Sequence, residues 1–214
     1  MSISPASTAN YDWFLETFFA AEARDAEGSG QSIHERVARE FRTASARPSS
    51  TIFHPYLFGS PYGGASSASF FGLNAWHDRA DVTRAVLEGI AFNHRIHIDA
   101  LRQGFAPQSA RLTGGISRNE DVAQLFADIL GMPVTTTATE EAAAWGAALR
   151  AGAGAGLFGS PTDDPRDLQI VETTYQPDRA RGEILDRKYR VFLDLAEAVR
   201  PIWPRLQELG TARQ

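Results

Sequence analysis

No cysteine occurs in the 214 residues, which removes disulfides, thiolate metal sites and a thiol nucleophile at once. Lysine is almost missing too: Lys188 is the single one, and arginine supplies the other basic side chains. A Walker-type phosphate loop needs a lysine directly after its glycines, and none stands there, so that loop is excluded. Formal net charge is −5, which provides no broad basic surface for a nucleic acid. No apolar run approaches the ~20 residues that a helix needs to cross a bilayer, so no membrane association is expected. Met1–Asn10 is polar and rich in small residues, unlike a secretory signal, and a cytoplasmic protein is the expectation.

With 43% apolar and 22% charged residues, the chain has enough material to bury one sizeable core. Trp13, Phe14, Phe18 and Ala21 recur at helical spacing and predict a helix over 11–26, ended by Gly28-Ser29-Gly30. Ser32-Ile33-His34-Glu35 has capping-box form and predicts a short helix ending near Phe41. Thr51–Phe58 reads as a strand running into a Gly/Ser/Pro-rich connection, 59–69. A long helix is expected to start at Asp81, with Val82, Val86, Ile90, Asn93, His97 and Leu101 on one face and Gly104 closing it. From Asp178 an amphipathic helix carrying Ile184, Tyr189, Phe192, Ala196 and Val199 is expected, broken by Pro201 and Pro204.

Residues 110–152 alternate in a way that matters for function. Ala110–Thr113 predicts a strand ending in Gly114-Gly115. Ser117-Arg118-Asn119-Glu120 has the form of a capping box opening a helix with Val122, Leu125, Phe126, Ile129 and Leu130 inward. Val134–Thr137 is β-branched and strand-like, and Thr139-Glu140-Glu141 is placed to cap a further helix. Strand, glycine turn, helix, strand, helix implies a parallel sheet with right-handed crossovers, hence an α/β fold.

A strand that ends in two glycines and feeds a capped helix lets backbone N–H groups approach an anion closely. On spacing alone, a simple backbone requirement explains such a pair more readily than a ligand does. A Rossmann fingerprint is absent, because Gly114-Gly115-Ile116-Ser117-Arg118 does not supply G-x-G-x-x-G. Asn119 can offer an amide to a nucleotide or serve as a helix cap. His94 and His97 share a helix face but have no third ligand at supporting spacing, so partner contacts or surface positions are the simpler role; His54 and His77 read as loop packing. The Gly152-to-Gly156 stretch follows a helix and opens none, so it reads as a helix exit. Glu88, Gly89, Trp145 and Gly146 read as structural, and no metal-binding residue is assigned.

Ala68-Ser69-Phe70-Phe71-Gly72-Leu73, seven residues, then Asp81-Val82-Thr83-Arg84-Ala85-Val86-Leu87-Glu88 resembles the C-terminal signature of the FGGY carbohydrate kinases. Thr113-Gly114-Gly115-Ile116-Ser117-Arg118-Asn119 resembles that family's nucleotide loop, and the likeness continues through Gln124–Gly131 and Glu141–Ala148. Within the family it points towards the L-xylulose kinases, through Ser4–Thr8, Asp12-Trp13-Phe14 and Pro55–Ser60. The resemblance covers nearly the whole chain. It implies a ribonuclease H-like, actin-type ATPase domain, the C-terminal half of a two-domain sugar kinase. It implies ATP with Mg²⁺ as cofactors and γ-phosphoryl transfer to a hydroxyl of a pentulose or polyol.

By the same resemblance Gly114 and Gly115 lie against ATP phosphates and Asn119 near the adenine, while Thr8 and Asp12 match a segment on the other side of the nucleotide. Thr113 stands where family members often carry an acid, so no metal role follows there. Family members are about twice as long, and their N-terminal half holds the second phosphate loop, the sugar pocket and the catalytic aspartate. A partial domain is therefore expected, missing its first strands, inactive alone and prone to self-association through an unpaired sheet edge. A non-catalytic nucleotide-binding or pairing module is the alternative.

Overall fold

The computed structural model describes residues 7–29, 32–137, 142–163 and 172–211. The segment before Ser7, the expected cap at Thr139-Glu140-Glu141, Gly30, and the Asp164-Pro165 part of an expected surface turn lie outside the described residues.

The predicted first helix is two. α1 (Ser7–Phe18) and α2 (Ala20–Ser29) are separated at Phe19, whose ring is fully buried beneath the Arg79 guanidinium. Arg79 also reaches Glu22 on α2 and Glu40 on α3, so burying one aromatic and binding one arginine together favour the break. α3 (Ile33–Ser45) starts where expected: the Ser32 side chain accepts the His34 N–H. It runs four residues past Phe41 because Ala44, one turn on, is buried with Val37 and Phe41.

β1 (Ile52–His54) is short and pairs antiparallel with β2 (Ser69–Phe71), Phe53 opposite Phe70. β2 carries the aromatic part of the signature. At Gly72 that follows, φ is +73° and an added Cβ would lie 2.6 Å from the Ser50 carbonyl oxygen, so both conformation and space demand glycine.

The long helix, α4 (Arg79–Arg102), begins earlier than Asp81. Asp78 is the N-cap; its side chain accepts the Asp81 N–H while Asp81 accepts the Asp78 N–H, a reciprocal capping box. Asp81 is thus the third residue of the helix, and Arg47 binds both carboxylates. Val86, Ile90 and Asn93 are buried as predicted, whereas Leu101 at the far end is exposed. α4 packs against α3, β1, α5 and α1. At its crossing with β1 an added Cβ on Gly89 would overlap the Phe53 carbonyl oxygen, which confirms the structural reading of that glycine.

The second half builds the alternating unit. β3 (Ala110–Leu112) runs parallel to β4 (Val134–Thr137), connected through a 3-10 turn (Gly115–Arg118) and α5 (Glu120–Leu130). Val122, Leu125, Phe126, Ile129 and Leu130 are all buried, and Gly131 ends the helix in the left-handed region, φ +62°. α6 (Ala142–Gly154) follows. β5 (Glu172–Tyr175), which the sequence pattern did not reveal, adds antiparallel to β4 and gives the order β3-β4-β5.

α7 (Arg179–Val199) is capped by Asp178. Its inward row is Leu185, Tyr189, Phe192 and Ala196, and Ile184, expected inside, is exposed. Pro201 lies between helices, but Pro204 does not break one: it sits in the first turn of α8 (Trp203–Thr211), where its missing N–H costs nothing. The apolar side chains form one continuous core from Phe14 and Phe41 through Phe53 and Phe92 to Phe192 and Trp203.

His54 and His94 are packing groups, which for His94 replaces the expected surface or partner role. His54 is fully buried on β1, and its Nε2 donates to the Phe192 carbonyl at 2.9 Å; burial lowers its pKa, and the Phe192 contact opposes that. His94 faces the Phe126 ring at 5.5 Å. Burial, with a smaller contribution from His97, lowers the pKa of His94 from 6.5 to about 4. No group of three or more His, Asp or Glu able to hold a metal exists among the described residues.

Two measurements test this packing. Gly89→Ala forces α4 away from β1 and is expected to cost ~3 kcal/mol in urea unfolding; a loss below ~0.5 kcal/mol would show that the crossing relaxes freely. His94 binds its proton more weakly folded than unfolded, so its stability contribution is complete above pH 6.5 and declines towards pH 4. Between pH 7 and 5 about 1–2 kcal/mol should be lost through it. His94→Phe should flatten that acid slope, and an unchanged slope would rule His94 out as its source.

Candidate functional site

β3 delivers the chain to Thr113, and Gly114 turns it with φ +92° and ψ −177°. The 3-10 turn Gly115–Arg118 follows at once. The capping box expected from Ser117 to Glu120 does not form: the Ser117 hydroxyl instead donates back to the Gly114 carbonyl at 2.7 Å. The cap of α5 is Asn119, whose Oδ1 accepts the N–H groups of Asp121 at 3.0 Å and Val122 at 3.3 Å. The cap role that the sequence left open is therefore filled, and it occupies only the oxygen end of the amide.

The two glycines differ in what demands them. Gly114 needs its positive φ. Gly115 has no positive φ, and an added Cβ would meet no protein atom within 4 Å. Among the described residues nothing accounts for its lack of a side chain.

Gly115, Ile116 and Asn119 form one side of a cleft of about 790 Å³; the opposite side is built by Tyr11 from α1 and by His34, Ala38 and Arg42 from α3. Tyr11 is buried and stacks on His34 with ring centres 5.9 Å apart, its hydroxyl 3.3 Å from Nδ1. Burial first, then the Asp12 charge, pushes the Tyr11 pKa well above the usual phenol range, so Tyr11 stays neutral. Arg42 crosses the cleft to Asp121 at 2.8 Å, and Glu35 and Glu120 add negative charge to its lining.

Of the residues singled out in the sequence, Gly115 and Asn119 line the cleft and Gly114 shapes the turn beside it. Thr8 and Asp12 lie on α1, the helix that contributes Tyr11; Asp12 is exposed and is not a lining residue. Tyr11, His34 and Arg42 were missed. Only the Ser32 cap hinted at α3, and no local pattern brings α3 opposite the glycine turn.

The C-terminal domain of the FGGY family of carbohydrate kinases matches residues 1–155. The chain belongs to that family. It is 30% identical over 206 residues to the L-xylulose/3-keto-L-gulonate kinase of Escherichia coli strain K12, covering 96% of this chain and 39% of that protein. It is 28% identical to the erythritol kinase of Brucella abortus, over 94% of the chain and 39% of that protein. Among solved structures, the xylulose kinase from Rhodospirillum rubrum superposes with a TM-score of 0.69 at 29% identity, over 92% of this chain and 38% of its own. The fold of this FGGY domain is thus the actin-type ATPase, ribonuclease H-like one. The chain spans about 39% of the length of such relatives. Among the described residues no helix is long and apolar enough to cross a membrane.

The cap predicts a separation of roles at Asn119. Asn119→Ala should cost about 1 kcal/mol in urea unfolding with no ligand present, whereas Asn119→Ser, which keeps an acceptor oxygen, should stay within a few tenths. Equal losses in the two variants would refute the cap.

Proposed function

We propose that this FGGY domain forms one wall of an ATP site, with the phosphates against Gly114-Gly115 and the nucleoside towards Asn119 and the Tyr11–His34 pair. The observation that carries the reading is Gly115, a glycine that its own fold does not require, bordering open space at the start of a helical turn. The first N–H groups of such a turn lack intrahelical partners and favour an anion.

Charge supports that orientation: Glu35 and Glu120 would repel a polyphosphate and Arg42 is already paired with Asp121, which leaves the backbone N–H groups of the glycine turn as the favoured phosphate contact. With Oδ1 of Asn119 committed to the cap, its Nδ2 is the end that would meet a base or ribose. Thr8 and Asp12 stay in the proposal as positions on α1, the helix that brings Tyr11 to the cleft. The described residues hold no carboxylate cluster for Mg²⁺, so a metal arriving with ATP would rest on the phosphates and on groups outside this wall.

Phosphoryl transfer depends on positioning and on electrostatic stabilisation from both sides of the transferred group. We therefore assign this chain nucleotide binding, and to the whole kinase the transfer to a pentulose or polyol hydroxyl, with L-xylulose-like acceptors favoured by the relatives' names. The acceptor pocket and the base are placed outside these residues.

Thermal unfolding with and without ATP and Mg²⁺ tests the site. Binding at 100 times Kd should stabilise the chain by ~2.7 kcal/mol, a shift of several degrees in Tm. Gly115→Asp should abolish the shift, and Asn119→Ser should reduce it without lowering the ligand-free Tm. A Gly115→Asp variant that responds like the parent would defeat the assignment. Robust ADP release with L-xylulose by the isolated chain would defeat the division of labour.

A further inference from the structure

A second cleft, about 700 Å³, opens between the 45–50 segment and α7, and shares no lining residue with the glycine-turn cleft. Its floor is the cluster Arg84–Glu88–Lys188. Arg84 Nε donates to Glu88 at 2.6 Å and Lys188 Nζ to the other carboxylate oxygen at 2.5 Å. All three side chains are at least nine-tenths buried, with 9%, 3% and 9% exposure. Two cations thus share one carboxylate, leaving a net positive charge where water screens it poorly.

The other arginines around the cleft divide clearly. Arg47 faces two carboxylates, Asp78 and Asp81, a group with net negative charge, and Arg181 is neutralised by Asp128. Arg187 is exposed at the rim and pairs with no acid among the described residues. Burial lowers the Lys188 pKa from the usual ammonium range, and Glu88 opposes that. The walls between floor and rim are apolar: Ile52, Leu125, Leu185 and Val191. Apolar walls with a few convergent polar groups are the general form of a small-molecule site.

We infer that this cleft binds a small anion with an apolar body, of the aryl or alkyl phosphate monoester class, held between the Arg84–Lys188 floor and the Arg187 rim. The buried floor is positive and Arg187 has no acid partner among the described residues, so the cleft suits an anion, and the guanidinium of Arg187 suits a phosphate edge. The apolar walls supply the reason for an organic body over the bare ion.

Isothermal titration of the full 214-residue chain with phenyl phosphate and, separately, inorganic phosphate tests this, with ionic strength held constant by sodium chloride. Both ligands are expected to bind, phenyl phosphate about tenfold more tightly. Arg187→Gln, a surface change, should weaken each by about tenfold or more, and Lys188→Gln should do the same. Gly115→Asp should leave this binding unchanged, which separates it from the nucleotide proposal. If Lys188→Gln fails to fold, Arg187→Gln alone decides. Absence of saturable heat with both ligands overturns the inference, as does binding that survives Arg187→Gln. Inorganic phosphate binding as tightly as phenyl phosphate overturns the apolar-body assignment.

Discussion

The contact between Gly89 and the Phe53 carbonyl sets the distance between the long helix and the strand beside it, and much of the architecture is measured from that crossing. Because α4 lies so close, Val86, Leu87, Ile90 and Phe92 reach full burial around it. Glu88, the adjacent residue, is carried inward with them. Its carboxylate then needs partners, and Arg84 and Lys188 provide them. The same helix positions α3 on one flank and α5 on another, and these two carry the opposing sides of the glycine-turn cleft.

Local chemistry was readable wherever it was decided within a few residues. The burial of Val122, Leu125, Phe126, Ile129 and Leu130 followed from spacing, as did the parallel pairing of β3 with β4 from the strand–turn–helix–strand order. Helix starts were harder, because two residues of the right kind often compete. Asp78 won over Asp81, and Asn119 over Ser117, since the losing side chain was better used elsewhere: Asp81 as the reciprocal member of the box, Ser117 in closing the 3-10 turn. The break at Phe19 depended on Arg79, sixty positions away, and could not show in a local pattern. β5 was missed for the same reason, its place being set by pairing with β4.

The candidate site divides along that line. The glycine turn was legible, since glycines and a capping residue act on their own neighbourhood. The facing wall was not. Tyr11, His34 and Arg42 come from two helices whose placement follows from tertiary packing, and each has an ordinary local role: a stacked ring, a first-turn residue, an ion-pair partner. Family membership explains why the turn and the signature occur together, while the space around Gly115 leaves its missing side chain to be explained by something other than its own fold.

The pairing of Glu88 with Lys188 joins positions separated by 100 residues. A chain made from its N-terminus completes α4 long before the lysine exists, and domains generally begin to organise as they emerge. Until then Glu88 has only Arg84, and full burial of the carboxylate must wait for α7 to dock. Long-range closures of this kind slow folding, so the burial of Glu88 is completed only when the chain's sole lysine arrives at a charge that was waiting for it.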